Sequence, residues 1–369
     1  GEAGSGTALS AVKDRLSQMF QSAPTPVPSA TPAAARAGHP VDSPFAELHA
    51  LVRDAGTGAA PLDSVLAGLE ELHVHINSIA SAMDRGGTAL DAAQQGSVGG
   101  AAGKLKLQAK RQPPPRGAWV ADLADGSSSL TLGNARGHVN SIWTSQVLPF
   151  CQRALGGRYP ISRGSSQEVT LADFARLFGP GGLIDGFFQK YLAAFVDTSG
   201  RTWRWRSDGD VTLGSSAEAV RQFQRAAEIR DAFFGGGATP AVSFQLRPIS
   251  MDSAIERFSL DLDGQQLTYS HGPVRPTTVS WPGPGGAGQV TMEVAPPAAG
   301  GRSAIMLTGA WAVFRLFDRA SIEPTAQPEE FRVTFDVGGR KAVYALTASS
   351  VVNPFRLPAL HAFSCPERL

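Results

Sequence analysis

The chain has 369 residues, 42% of them hydrophobic and 18% charged, with 33 Lys and Arg against 32 Asp and Glu for a formal charge of +1. That length suffices for two or three domains with ample buried core, and the charge balance lacks the basic excess that nucleic-acid partners require. Two cysteines are too few for a disulfide-dense scaffold or a structural zinc site, and no apolar run reaches the ~18 residues of a membrane-spanning helix.

The chain opens GEAGSG, without an initiator Met or a signal peptide, as expected of a piece of a longer protein. Leu9, Val12, Leu16 and Phe20 repeat at helical spacing over 9–20. Residues 21–43 are rich in Pro, Ala and Ser, with too little apolar surface to offset their ordering entropy, and are expected to form a linker. Ser43 as N-cap and Pro44 at the first helical position open a helix whose stripe is Phe45, Leu48, Leu51 and Val52. A longer helix is predicted over about 62–85, with Leu62, Val65, Leu66, Leu69, Leu72, Ile76 and Ile79 on one face.

The Gly/Ala/Gln-rich stretch 86–100 has no clear period. Lys104 to Gln112 reads as helix and ends at Pro113-Pro114-Pro115. Helix resumes near Trp119, with Gly126 a candidate break, and continues through Val139, Ile142, Trp143, Val147, Phe150 and Leu155 to Gly156-Gly157. Thr170-x-x-Asp173 has the form of a capping box with Asp in third place. Leu171, Phe174, Leu177 and Phe178 follow, Gly179 is a C-cap before Pro180, and a further helix carries Leu183, Phe187, Phe188, Tyr191, Leu192 and Phe195. Ser215-x-x-Glu218 is a capping box for a helix through Val220, Phe223, Ala227, Phe233 and Phe234 to Gly235-Gly236-Gly237.

After Pro240 the period becomes two. Val242, Phe244 and Leu246 alternate with polar residues, as do Phe258, Leu260 and Leu262, and then Leu267 and Tyr269. Asp263-Gly264 between the last two runs signals a hairpin, and Gly338-Gly339 a second one. Residues 279–281, 290–294, 331–337 and 341–346 are further strand candidates, and 311–317 a helical insertion. The fold class is therefore α+β: a short helix and linker (1–43), an α-helical domain (44–237) and a C-terminal antiparallel β-sandwich-like domain (238–369).

Local chemistry is sparse. The GPGG of Gly179–Gly182 follows a helix and has Ile184 where a dinucleotide fingerprint needs Gly, so it reads as a helix–turn–helix corner. Gly103-Lys104 lacks the preceding Gly and following Ser/Thr of a phosphate loop. His73 and His75 point to nearly opposite helix faces, unlike an i, i+4 metal pair. His271 reads as a strand terminator. No GxSxG elbow is present, and no catalytic, cofactor-binding or metal residue is assigned. Cys151 sits in an apolar helical context, the default setting of a buried inert thiol. A Cys151–Cys365 disulfide would need positions in two different domains to meet, which spacing does not decide.

Several blocks nevertheless resemble one family in order. They are FCQRALGGRYPISRGSSQEVTLADFARLFGPGGLIDGFFQKYLAAFVD (150–197), AAEIRDAFFGGG (226–237), LDGQQLTYSHGP (262–273), WPG (281–283), GAWAVFRLFDRA (309–320), NPF (353–355) and FSCPERL (363–369). Over roughly 40–369 they resemble the C-terminal region of the TssM/IcmF family of type VI secretion membrane-complex proteins. Ile161 and Ala310 depart from the family pattern, which tends to Phe and Pro there.

The resemblance implies a non-enzymatic scaffold, the end of a periplasmic arm of an inner-membrane protein. It also implies helices leading into a β-domain and no cofactor. The implied partners are the outer-membrane lipoprotein TssJ, and TssL and other TssM copies through the parent protein. The rival readings are a periplasmic glycan-binding module and a hydrolase using an interdomain cleft. For docking, the stretch 269–288 offers Tyr269, Arg275 and Trp281 as candidate anchors, against the alternative that Tyr269 and Trp281 are sandwich core.

Overall fold

The computed structural model describes residues 52, 60–208, 211–214, 216–297, 303–348 and 353–369. The helix expected at 9–20, the linker, and the helix starting at Ser43-Pro44 lie outside the described residues, apart from Val52. Contacts divide the chain into two units, residues 1–138 with 207–213 and residues 139–206 with 214–369.

In the first unit, α1 (Pro61–Ser81) starts where the Asp63 carboxylate accepts from the Ala60 N–H at 3.0 Å, and it buries Val65, Leu72 and Ile79. The stretch without a sequence period is helical: α2 (Arg85–Gln94) is capped by Asp84, and α3 (Ser97–Ala109) follows directly. Small residues hide the period because these helices pack closely. A Cβ on Gly68 would lie 2.8 Å from Leu105, and the core is Leu72, Ala101, Ala102, Leu105 and Ala124.

Helix α4 (Arg116–Ile142) runs through Gly126 without a break. Each of its interior glycines 126, 133 and 137 costs roughly 1 kcal/mol relative to Ala. Among the described residues, none has a neighbouring atom within 4 Å of where a Cβ would stand, the helix's own backbone aside. A short hairpin, 207–208 with 211–212, holds α4 through Arg136, which donates to the Leu213 and Thr212 carbonyls at 2.6 and 2.8 Å.

In the second unit a π-helical turn, Trp143–Val147, follows the end of α4 and precedes α5 (Leu148–Leu155). Pro149 has no N–H for the Ser145 carbonyl, so the ladder widens there. In α6 (Leu171–Phe178), Thr170 Oγ1 accepts from the Asp173 N–H at 3.0 Å, as its sequence signature implies. The GPGG corner leads into α7 (Leu183–Phe187). Gly181 has φ +68°, the left-handed region that favours glycine. Its N–H donates to Asp185 Oδ2 at 2.9 Å, and the other carboxylate oxygen takes Arg230. The amide that could meet a phosphate is thus bonded within the chain.

Ser215 lies outside the described residues. The cap of α8 (Ala217–Phe233) is Ser216, whose hydroxyl accepts from the Ala219 N–H at 3.3 Å. Glu218 faces along the helix to Arg221, Gln222 and Arg225 instead of closing a box.

The chain then forms two antiparallel sheets. The strands are β1 (Val242–Met251), β2 (Arg257–Leu262), β3 (Gln265–Tyr269), β4 (Thr277–Trp281), β5 (Gln289–Ala295), β6 (Ala304–Thr308), β7 (Ser321–Pro324), β8 (Glu330–Val337) and β9 (Arg340–Ala348). The sheet orders are β6-β5-β2-β3 and β7-β8-β9-β1-β4. Strands β6 and β7 have no counterpart in the sequence reading, because both are short edge strands whose burial does not alternate cleanly. Both hairpins form as their dipeptides imply, with positive φ at Asp263, Gly264, Gly338 and Gly339. Phe258 from one sheet packs on Phe335 and Tyr344 from the other, and these are among the fully buried side chains. The insertion is α9 (Ala312–Arg319), which buries Val313, Phe314, Leu316 and Phe317.

The C-terminal tail returns to the helices of its own unit after the short α10 (Pro358–Ala362). Phe363 packs edge-on to Phe178, Ser364 N–H donates to Gln222, and Trp143 Nε1–H donates to the Pro366 carbonyl at 2.7 Å. Leu369 N–H reaches Asn140 Oδ1 at 2.9 Å. Cys365 thereby lies beside Cys151, and the two form a disulfide with a Cα separation of 6.1 Å. This corrects the expectation of an inert thiol. The last seven residues follow the β-domain in sequence but pack on the helices, so the two cysteines share one neighbourhood.

Candidate docking surface

Helices and sandwich in this unit share one aromatic core. Trp281 and Trp311 rings lie 4.7 Å apart, with Phe233 and Phe314 against both and Phe174 against Trp311 and Phe233. Both indoles are hydrogen-bonded, Trp281 to the Ala310 carbonyl at 2.9 Å and Trp311 to the Val169 carbonyl at 2.7 Å. Trp281 is 2% exposed. Its candidacy as a surface anchor is corrected: it plugs the junction between sheet and helices, and its side chain presents no docking surface.

Beside this core lies a paired polar cluster. Glu168 accepts from Arg315 Nε at 2.8 Å and from the Trp311 N–H at 3.4 Å. A Cβ on Gly309, which has φ +119°, would sit 2.5 Å from the Glu168 carboxylate. Only glycine fits that approach. The Arg315 guanidinium lies 4.0 Å over the Tyr159 ring. The Tyr159 hydroxyl donates to Asp318 at 2.8 Å, and burial first, then the Asp318 charge, push its pKa far up.

Arg163 pairs with Asp318 and donates to His361 Nε2 at 3.0 Å. His361 Nδ1 lies 2.9 Å from the Pro160 carbonyl, so the neutral Nδ1–H tautomer satisfies both contacts. Burial, then the Arg163 charge, lower its pKa. These groups engage one another, which suits holding α9 against residues 158–169.

The other two candidates lie elsewhere. Strand β4 separates the two halves of 269–288, and its five residues span roughly 13 Å. Trp281 ends it on the helix-packed side. Tyr269 and Arg275 lie at the opposite, distal end. Tyr269 is half-buried, its ring 6.0 Å from His271. Arg275 is exposed within Pro273-Val274-Arg275-Pro276, and Val274 is 44% exposed. The flanking prolines fix φ on both sides of the pair.

The distal loops are tied to one another. His271 Nε2–H donates to the Ile255 carbonyl at 2.8 Å. Asp252 accepts from the Lys341 N–H at 2.7 Å and donates its own N–H to the Lys341 carbonyl at 2.9 Å. Glu256 N–H donates to the Ala295 carbonyl at 2.8 Å, and Arg340 to the Pro296 carbonyl at 2.6 Å. Ile255 is fully buried beneath. Four connections, 252–256, 270–276, the start of 296–303 and 338–339, thus form one braced face with Val274 and Arg275 outward. Sequence reasoning missed Val274, Asp252 and Arg340. The paired prolines around Val274-Arg275 were the available signal, whereas the ties from Asp252 and Arg340 are long-range and leave no local pattern.

The comparisons with known proteins agree on one family. Residues 134–239 match the helical domain of type VI secretion protein IcmF, and residues 244–350 match its C2-like domain. The type VI secretion system component TssM1 of Pseudomonas aeruginosa is 42% identical over 333 residues. That match covers 89% of this chain and 30% of TssM1, so the chain spans less than a third of its curated relative. A type VI secretion membrane core complex chain superposes with TM-score 0.69 at 19% identity, covering 89% of this chain and 70% of that one. The C-terminal domain of the T6SS protein TssM from EAEC superposes with TM-score 0.57 at 22% identity, covering 64% and 98%. These two solved structures share the fold of helices followed by antiparallel sheets.

Proposed function

Since the chain belongs to the type VI secretion IcmF family, we propose that it is a non-enzymatic periplasmic part of the trans-envelope membrane complex whose distal sandwich loops dock the outer-membrane lipoprotein TssJ. The observation that carries the reading is the braced distal face. Its loops are hydrogen-bonded to one another before any partner arrives, so little ordering entropy is lost on binding, and it presents an Arg and an apolar side chain between prolines. A formal charge of +1 provides little long-range steering, so affinity rests on a few anchors and local hydrogen bonds. The Cys151–Cys365 disulfide supports the periplasmic placement, because such bonds persist in oxidising compartments. TssL engages through the rest of that longer protein.

The test is binding of the 369-residue chain to purified soluble TssJ from the same organism, by biolayer interferometry, with peptidoglycan sacculi as a parallel ligand. Val274→Asp and Arg275→Glu are each expected to weaken TssJ binding about tenfold or more, with melting temperature unchanged. Met306→Ser, on exposed edge strand β6, serves as control and leaves affinity intact. Unaltered affinity in both loop variants sinks the assignment of the face. Retention on sacculi with no TssJ binding sinks the function.

A further inference from the structure

The long helix α4 carries a face that none of the described residues covers. Trp119, Leu123 and Leu130 are 62%, 56% and 62% exposed. With Gly126, Gly133 and Gly137, also exposed, they form one stripe at alternating spacings of four and three residues. That is the heptad spacing of a helix–helix seam. A Cβ on any of the three glycines would meet no neighbouring atom within 4 Å beyond the helix's own backbone, so packing among the described residues does not account for them.

The order of large and absent side chains is self-complementary. Reversing the stripe about position 128, near the middle of Arg116–Ile142, sets Trp119 opposite Gly137, Leu123 opposite Gly133, and Leu130 opposite Gly126. Every large side chain meets a glycine, and every layer joins the two seam positions that oppose each other when helices run antiparallel. A two-fold interface requires this match of a patch to itself. An unrelated partner does not.

We propose that α4 is a self-association face on which a second copy of this chain packs antiparallel, its two-fold axis passing beside residue 128. Missing Cβ atoms let the helices approach closely along roughly 27 Å from residue 119 to 137. The three exposed side chains offer on the order of 350 Å² per copy, below the ~800 Å² per partner of a stand-alone complex. The contact is therefore weak between free chains and gains where copies are held side by side. It does not rest on the proposed lipoprotein docking, which uses a different surface.

The test is disulfide trapping in the 369-residue chain at about 100 μM. No described cysteine is free, so an introduced one is the reactive thiol. Ser129→Cys, exposed beside the stripe and close to the axis, is expected to give a covalent dimer under mild oxidation. Gly137→Cys alone gives none, but a mixture of Gly137→Cys with Trp119→Cys chains gives the heterodimer.

Added to Ser129→Cys, Gly133→Leu is expected to slow trapping at least tenfold by clashing with the partner's Leu123, without lowering the melting temperature. Adding Leu123→Ala as well restores trapping, because large and small positions are then exchanged. Absent trapping at 129, equal trapping of Gly137→Cys alone, or indifference to Gly133→Leu overturns the proposal. So does a monomer whose Trp119 resists acrylamide quenching, which would assign the face to the segment preceding α1.

Discussion

Removing the Cys151–Cys365 bond tests how the second unit is held together. The perturbation is Cys151→Ala with Cys365→Ala, because Cys151 is fully buried and a serine would bury an unpaired hydroxyl. The bond joins positions 214 residues apart. Loop-closure theory gives an unfolded-state entropy loss of about 18 cal/mol/K for such a loop, about 5 kcal/mol at 25 °C. Measured losses fall below that bound, so about 3–5 kcal/mol is expected. The native tail stays docked through Trp143–Pro366, Phe363–Phe178 and Asn140–Leu369, so the loss acts mainly through the unfolded chain.

The assay is urea unfolding followed by tryptophan fluorescence, with Trp143, Trp281 and Trp311 all fully or nearly fully buried in this unit. The midpoint should fall, and the slope should rise because an uncrosslinked chain exposes more surface. Cys151→Ala alone should match the double variant within about 0.5 kcal/mol, since either one abolishes the bond. A double variant within about 1 kcal/mol of the parent, or single variants whose effects add, would refute the reasoning.

Three further outcomes follow from the same unit. Trp281→Ala should cost about 3–5 kcal/mol in urea titration, as expected for a fully packed aromatic, and should leave TssJ affinity of the folded fraction unchanged. Glu168→Ala should cost about 2–3 kcal/mol by the same titration, because Arg315 and the Trp311 N–H lose their shared partner. His361 has a folded-state pKa below its unfolded value, so the unfolded state binds the proton first on acidification. Stability should therefore fall as pH drops below about 6.5, and His361→Gln should flatten that slope in melts between pH 7.5 and 5.5.

The parts legible in sequence were those fixed by near neighbours. Thr170 caps α6 from its own turn, Asp263-Gly264 sets its hairpin, and the alternation at Val242, Phe244 and Leu246 gives both strand and inward face. The misreadings arose where a distant residue decides the outcome. Gly126 suggests a break by local propensity, yet twenty-seven helical residues carry it. Cys151 reads as inert until the tail returns, and Trp281 stays open between docking anchor and sandwich core until Trp311 and Phe233 are placed around it. The two ends of the sandwich differ in the same way. At the helix-packed end, aromatic side chains reach across the sheets and vanish from the surface. At the distal end, short polar ties from Asp252, His271 and Arg340 fix backbone positions and leave Val274 and Arg275 outward. An aromatic residue near a strand end is therefore a poor guide to docking in this unit, whereas a proline-bracketed pair on loops tied to their neighbours is a better one.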